Sequence, residues 1–136
     1  MKLAIEQAVS FPNVTPADLY ELFMDSVKHS AATGAPAKIS RKVGGKWSVF
    51  DGMIVGKNLL LVPNQMIVQT WRSTAWKKAD LDSILVVCFE KYYTGAAVHL
   101  AHIGVPPYDH KGVTQGWMNY YWKPWKDYLR ARKRKS

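Results

Sequence analysis

Apolar and polar residues alternate through the first half of the chain in the pattern of short strands separated by turns. Between positions 33 and 72 this alternation predicts four antiparallel strands, at residues 38–42, 47–50, 53–58 and 65–72. Gly44 and Gly45, and then Asp51 and Gly52, fall between consecutive strands and supply the positive φ angles of tight hairpins. Pro63 marks the next break, since a proline cannot donate to a ladder. The segment is therefore predicted to be an antiparallel meander.

The residues after the first strand predict two short helices. The strand ends near Phe11, and Thr15 and Pro16 then open a helix, because threonine can cap the amino terminus and proline suits the first helical position. Asp18 completes the pattern of a capping box. A break near Met24 indicates two short helices rather than one long rod.

The second half of the chain predicts two further strands and one long helix. The strands occupy residues 83–92 and 96–105, and the first of them is apolar on both faces. The helix begins near Gly112, and Pro124 should bend it, since proline removes a backbone hydrogen bond. Its apolar and aromatic residues share one broad stripe: Val113, Trp117, Met118, Tyr120, Tyr121, Trp122, Pro124, Trp125, Tyr128 and Leu129.

This order of elements predicts an α+β protein with a helix-grip (START-like) fold, in which a curved antiparallel sheet of six to seven strands wraps around the long C-terminal helix. Two short helices follow the first strand. A bent antiparallel sheet buries one face only if another element lies in its concavity, and this helix is the segment long and apolar enough to do so. We assign residues 1–132 to a single domain and residues 133–136 to a basic tail.

Several motifs carry a resemblance to a known family. They are residues 33–40, 44–50, 56–59, 61–63 and 67–72, followed by Val105-Pro106, Gly116-Trp117 and residues 120–124. In this order they resemble the carboxy-terminal domain of the activators of the heat-shock protein 90 ATPase. The family often has charged residues where this chain has Leu60, Gln65 and Met66.

The resemblance implies a co-chaperone that binds heat-shock protein 90 near its nucleotide-binding domains, favours the closed dimer and so stimulates its ATPase. A lone carboxy-terminal domain is expected to bind with weak stimulation or none. The resemblance also implies a regulator without catalysis of its own. We expect it to be a monomer.

Composition places the chain among globular proteins. With 136 residues, of which 48% are hydrophobic and 21% charged, it is long enough for one domain that buries about two-thirds of its unfolded surface. Cys88 is the only cysteine, which excludes an internal disulfide and fits a reducing compartment. No apolar run approaches the roughly 20 residues of a membrane span, and the amino terminus alternates as a strand does. We therefore expect a cytoplasmic location, with a nuclear one as the alternative.

The positive charge is concentrated at the carboxyl end, where residues 123–136 carry +6 of the net charge of +9. This block can be a solvated helix end, a dock for an acidic partner or an import signal. Nucleic acid is not expected as a partner, because the cations form one block rather than a groove interleaved with aromatic residues. The candidate partner-binding residues are Lys38, Arg41, Lys42, Lys46, Lys57, Arg130, Arg132, Lys133, Arg134 and Lys135.

The aromatic stripe of the long helix has two interpretations. An aromatic stripe at helical spacing usually fills a core, but buried phenol and indole groups also need partners, which a ligand cavity can supply. The candidate cavity-lining residues are Trp47, Trp71, Trp117, Tyr120, Tyr121 and Tyr128. Relatives of this fold hold lipids, sterols or polyketide-like molecules there. The alternative function is therefore a cytosolic carrier of a small hydrophobic ligand.

The sequence contains no pattern typical of an enzyme. His99 and His102 are three apart on a strand, so they point to opposite faces and cannot bind one metal ion. Residues 52–58 resemble a phosphate loop only superficially, since the loop is one residue short and lacks the hydroxyl residue after Lys57. Cys88 has no neighbouring cations in sequence. We predict no catalytic residues, no metal and no cofactor.

Overall fold

The structure is a computed structural model that describes the backbone of residues 4–135 and the side chains of residues 4–132. The strands are β1 (Ala4–Phe11), β2 (Lys38–Ile39), β3 (Lys46–Val49), β4 (Ile54–Val62), β5 (Met66–Ser73), β6 (Ser83–Tyr92) and β7 (Gly95–Ile103). The helices are α1 (Pro16–Met24), α2 (Ser26–Thr33), α3 (His110–Trp117) and α4 (Lys123–Lys135). A 3-10 turn (Pro107–Asp109) precedes α3, and a π-helical turn (Met118–Trp122) joins α3 to α4.

The seven strands form one antiparallel sheet in the order β1-β7-β6-β5-β4-β3-β2. The long helix made of α3, the π-helical turn and α4 crosses its concave face, and α1 and α2 pack beside it. The predicted helix-grip fold is therefore confirmed. Among the described residues, no helix is long and apolar enough to cross a membrane.

The hairpin turns of the meander use the predicted residues. Gly44 has a φ of 82°, and Gly52 has a φ of 83°. In the second turn Phe50 and Asp51 also have positive φ angles, of 53° and 56°. This conformation is uncommon for a bulky residue, and the Phe50 ring lies 5.6 Å from that of Tyr121 in the long helix. The turn therefore also places an aromatic side chain beside the helix.

β2 is shorter than predicted, because it ends at Ile39 instead of residue 42. The cause is the buried side chain of Asn58, whose amide donates to the backbone oxygens of Ser40 at 2.7 Å and Lys42 at 3.0 Å. The two oxygens therefore accept from a side chain, although the N–H of Ser40 still donates to the oxygen of Lys46 in β3 at 3.1 Å. β4 is longer than predicted and runs to Val62, since a bulge after Asn58 shifts the register and lets the strand continue.

The two short helices start where the sequence predicts. The Thr15 hydroxyl accepts from the backbone N–H of Asp18 at 3.1 Å, and the Asp18 carboxylate accepts from that of Thr15 at 2.9 Å. These are the two bonds of a capping box. Asp25 then ends α1 and caps α2, accepting from the backbone N–H of Lys28 at 2.9 Å. The break predicted near Met24 is therefore confirmed.

Pro124 is predicted to bend the long helix, and the structure has a π-helical turn just before it. The N–H of Lys123 donates to the oxygen of Met118, five residues back, and Pro124 has no N–H to continue the regular ladder. A π-helical turn brings residues five apart onto one face, so Trp117 and Trp122 stack with ring centroids 5.7 Å apart. Tyr120 is turned outward and is 61% exposed. Met118, which the sequence pattern places in the same apolar and aromatic stripe, is also exposed, because the π-helical turn changes which residues face the sheet.

Trp117 tests whether this face of the helix is core. Its side chain is only 2% exposed, so Trp117→Ala should lower the free energy of unfolding by about 3–5 kcal/mol in urea denaturation, as expected for a deleted buried aromatic. Tyr120→Ala, one turn away on the exposed side, is the matched control and should cost less than about 1 kcal/mol. Equal losses in the two variants would show that the helix faces are assigned wrongly.

Candidate functional site

An open groove lies between the long helix, the β3–β4 turn and β5. It has a volume of about 460 Å³, and its apolar lining includes Phe50, Met53, Ile54, Trp71, Val113, Trp117, Tyr120 and Tyr121. Asp109 lies at the start of the helix and accepts a hydrogen bond from the Trp76 indole at 2.7 Å. Small-molecule sites in proteins are of similar volume, so the groove is large enough for a small hydrophobic molecule.

Four buried residues connect the long helix to the sheet by a chain of hydrogen bonds. The Trp117 indole donates to Nδ1 of His102 at 3.1 Å, and Nε2 of His102 lies 2.8 Å from the Ser83 hydroxyl, which donates to the backbone oxygen of Trp71 at 2.6 Å. An indole can only donate, so Nδ1 of His102 must be the acceptor and Nε2 must carry the proton. Burial, and to a smaller extent His110, lowers the pKa of His102 to about 3. His102 is therefore neutral at pH 7.

His29 makes a second connection, between α2 and the long helix. Its Nδ1 donates to the backbone oxygen of Phe23 at 2.8 Å, which leaves Nε2 to accept from the Tyr121 hydroxyl at 3.0 Å. Burial lowers the pKa of His29 to about 4, and burial also raises the pKa of Tyr121. Both groups are neutral at pH 7, and neither needs a ligand to satisfy it.

The candidate cavity-lining residues do not all lie together. Trp71, Trp117, Tyr120 and Tyr121 line the groove. Trp47 lies deeper, beside an interior cavity of about 10 Å³ that it shares with Trp71 and Tyr121. Tyr128 lies in α4, where the Arg132 guanidinium is 5.7 Å from its ring. The interior below the groove is therefore tightly packed, and the assignment of these residues to a ligand stays a prediction.

Three of the candidate partner-binding cations share the outer face of the sheet. Lys46 lies directly opposite Lys57 in the β3–β4 pair, and Lys38 is on the adjacent strand, opposite Ser48. All three lysines are exposed. The other two candidates of this region lie in the following loop, where Arg41 forms an ion pair with Glu21 and Lys42 is exposed.

The remaining candidate cations lie on α4. Arg130 and Arg132 line a cleft of about 520 Å³ between α4 and the loop after β1, together with Lys126 and the apolar side chains of Phe11 and Leu129. Lys133, Arg134 and Lys135 lie beyond the described side chains. The predicted role of this block as a partner contact, like the assignment of residues 133–136 to a tail, stays a prediction.

The residues considered for chemistry are separated from one another. His99 is exposed beside Glu90, whereas His102 is buried in the interior. Burial, and to a smaller extent Glu90, raises the pKa of the Cys88 thiol, which makes it a poor nucleophile. Within residues 4–135, no three or more His, Cys, Asp or Glu side chains come together as a metal site requires.

Sequence reasoning did not single out the largest of the buried polar residues, which are His29, His102, Asn58 and Gln69, as interior groups. His29 and His102 lie on helix and strand faces that are otherwise apolar. The spacing of apolar residues along a helix or strand gives no reason to expect a buried imidazole there. Asn58 and Gln69 bond to each other across β4 and β5 at 3.0 Å. Their burial could have been predicted from their positions on the inward face of the strands, since a polar residue there needs a buried partner.

The fold and the aromatic groove place this protein in the START-like, helix-grip class. Residues 13–130 match the family model described as Activator of Hsp90 ATPase homolog 1-like protein. This match covers most of the chain, so the protein belongs to that family. The resemblance described above is therefore confirmed at the level of the family.

Curated relatives agree with this assignment, and a solved structure shares the fold. The human activator of 90 kDa heat shock protein ATPase homolog 1 is 29% identical over 109 residues, which are 80% of this chain and 32% of the relative. The Dictyostelium discoideum homolog is 32% identical over 103 residues, 76% of this chain and 27% of the relative. The chain thus spans about a third of the length of these curated relatives. The crystal structure of an HSP90 activator from Plasmodium falciparum covers 94% of this chain, and 96% of its own chain, at 24% identity and a TM-score of 0.83.

The two buried histidines predict that stability depends on pH. In the unfolded chain a histidine has an ordinary pKa of about 6.5, whereas the folded pKa is about 4 for His29 and about 3 for His102. As the pH falls below 6.5 the unfolded chain takes up protons that the folded chain does not, so the free energy of unfolding decreases. The expected loss between pH 7.5 and pH 5 is about 2 kcal/mol for each histidine.

Urea denaturation at both pH values measures this loss. His29→Gln should be less stable at pH 7.5, because two buried bonds change, but should lose about half of the pH dependence. A free energy of unfolding that is the same at pH 7.5 and pH 5 would show that the histidines are not held neutral by the fold.

Proposed function

We propose that this protein is a co-chaperone that binds heat-shock protein 90 and stimulates its ATPase. The observation that carries the proposal is the match of residues 13–130 to the activator family. The packed interior also supports it, since the Trp117 indole is bonded to His102 and the Tyr121 hydroxyl to His29, which leaves the outer surface for recognition. A cytoplasmic location, where the chaperone would be met, belongs to the same proposal.

The thermodynamics of activation restrict how such a protein binds. A protein that binds two conformations of the chaperone equally well changes nothing in their populations. An activator must therefore bind the closed, ATP-bound conformation more tightly than the open one. The difference in binding free energy sets the largest stimulation that it can produce.

This requirement gives the test of the proposal. Calorimetric titration of purified heat-shock protein 90 should show tighter binding in the presence of a slowly hydrolysed ATP analogue than in its absence. A difference of about tenfold in Kd corresponds to about 1.4 kcal/mol and is readily measured. The nucleotide-free chaperone is the control. Equal affinity in both states would contradict activation, and no binding in either state would contradict the proposal altogether.

The groove supports a second candidate function, that of a carrier for a small hydrophobic molecule. Its volume of about 460 Å³ and its aromatic lining favour this function. Two of the polar groups at its walls are already used, however. The Trp117 indole is bonded to His102, and Asp109 accepts from Trp76. Few groups remain to orient a ligand, so the groove is a weaker argument than the family match.

Native mass spectrometry of the protein purified from cells distinguishes the two functions. We expect the mass of the polypeptide alone, because buried apolar area does not by itself give affinity. The spectrum of the Trp71→Ala variant, in which the groove is wider, is compared with that of the unmodified protein, because a weakly held molecule can be lost during purification. A small molecule bound to most of the protein, and released on denaturation, would favour the carrier.

A further inference from the structure

The outer face of the sheet carries a contiguous apolar patch. The register places Leu60, Val68, Val86 and Ala101 side by side across four adjacent strands. Ile84 and Ile103 form a neighbouring row on the same face, and Val62, Met66 and Cys88 form another. We call these nine residues the outer patch. The helices lie on the opposite face of the sheet, and Leu60 and Ile103 are 46% and 47% exposed.

This composition is unusual for the outer face of an antiparallel sheet. Such a sheet normally buries one face and presents polar residues to water on the other. In β6 the outward residues Ile84, Val86 and Cys88 are apolar like the inward ones, as the sequence of this strand already indicates. Single exposed apolar residues are ordinary, but contiguous apolar patches with a polar rim mark interaction sites. The outer patch therefore has the character of an interface.

The border of the outer patch on the β3 and β4 side is basic. Lys46 and Lys57 lie directly opposite each other, and Lys38 is on the next strand of the same face. Like charges directly opposite in a ladder destabilise a sheet. Within the described part of the chain, none of the three forms an ion pair. An anionic surface placed against them would remove this repulsion.

The charges also indicate which occupant fits. A second copy of the chain that packed with the same border against this one would set Lys38, Lys46 and Lys57 against the same three lysines, which opposes self-association. A protein with an apolar centre and carboxylates along one edge matches both the outer patch and its lysines. We infer that the outer patch, with Lys38, Lys46 and Lys57, is the docking surface for such an acidic-rimmed protein. If the proposed function holds, on which this identification rests, that protein is heat-shock protein 90.

Substitutions on the outer patch test the inference, with heat-shock protein 90 and the ATP analogue as the probe. Leu60→Asp and Ile103→Asp should each raise Kd at least about tenfold, because a carboxylate would be placed in the apolar centre of the interface. Val27→Asp is the matched control, since Val27 is 77% exposed on α2. Its Kd should stay within about twofold of the unmodified value.

The lysines give a second, independent variant. Lys46→Gln combined with Lys57→Gln should raise Kd several-fold and weaken the salt dependence of binding. The same double variant should unfold at the same temperature as the unmodified chain or slightly above it, because the repulsion between the two lysines is removed. Lys78→Gln combined with Lys111→Gln, two exposed lysines away from the outer patch, is the charge-matched control.

The outcomes separate the inference from the proposed function. Binding by the unmodified chain with unchanged affinity in the outer-patch and lysine variants would overturn the docking surface alone. No binding by the unmodified chain would overturn both. A dimer detected by light scattering and dissociated by Leu60→Asp would assign the outer patch to a second copy, against the inference. Thermal unfolding checks that each variant is folded. If Leu60→Asp does not fold, the Kd values of Ile103→Asp and of the lysine double variant decide whether the inference holds.

Discussion

The hydrogen bond from the Trp117 indole to His102 joins the long helix to β7, and much of the interior is arranged around it. Because the indole can only donate, His102 must be a neutral acceptor at Nδ1 and a donor at Nε2. Ser83 then passes the chain of bonds to the backbone of Trp71. A regular α-helix would not stack Trp117 on Trp122, so the π-helical turn before Pro124 is part of the same arrangement.

This interior leaves recognition to the surface. The Trp117 indole and the Tyr121 hydroxyl find partners within the protein, and the interior cavity beside Trp47 has a volume of only about 10 Å³. The groove near the start of the long helix is open and apolar. The outer patch and its three lysines lie on the other side of the sheet. The core and the proposed docking surface are therefore built from alternate residues of the same strands, so a change on one face need not disturb the other.

The sequence predicts the elements of this fold better than the arrangement of its polar interior. Alternation, the turn glycines and the capping box at Thr15 define the strands and the first helix, because they are local. Proline at position 124 predicts a bend and not the π-helical turn before it, since both tolerate the missing donor. The burial of His29 and His102 depends on partners 92 and 15 residues away along the chain. Whether Lys46 lies directly opposite Lys57 depends on the register of β3 and β4, which the length of the hairpin turn between them determines.

Nuclear magnetic resonance of the histidine side-chain nitrogens tests the central claim most directly, because it reports the tautomer and the charge of each ring. The structure predicts that His102 carries its proton on Nε2, that His29 carries its proton on Nδ1, and that both remain neutral at pH 5. A His102 ring protonated on Nδ1, or one that gains a proton near pH 6.5, would contradict the account. It would mean that the Trp117 indole does not bond to His102 and that the long helix is held in the sheet by other contacts.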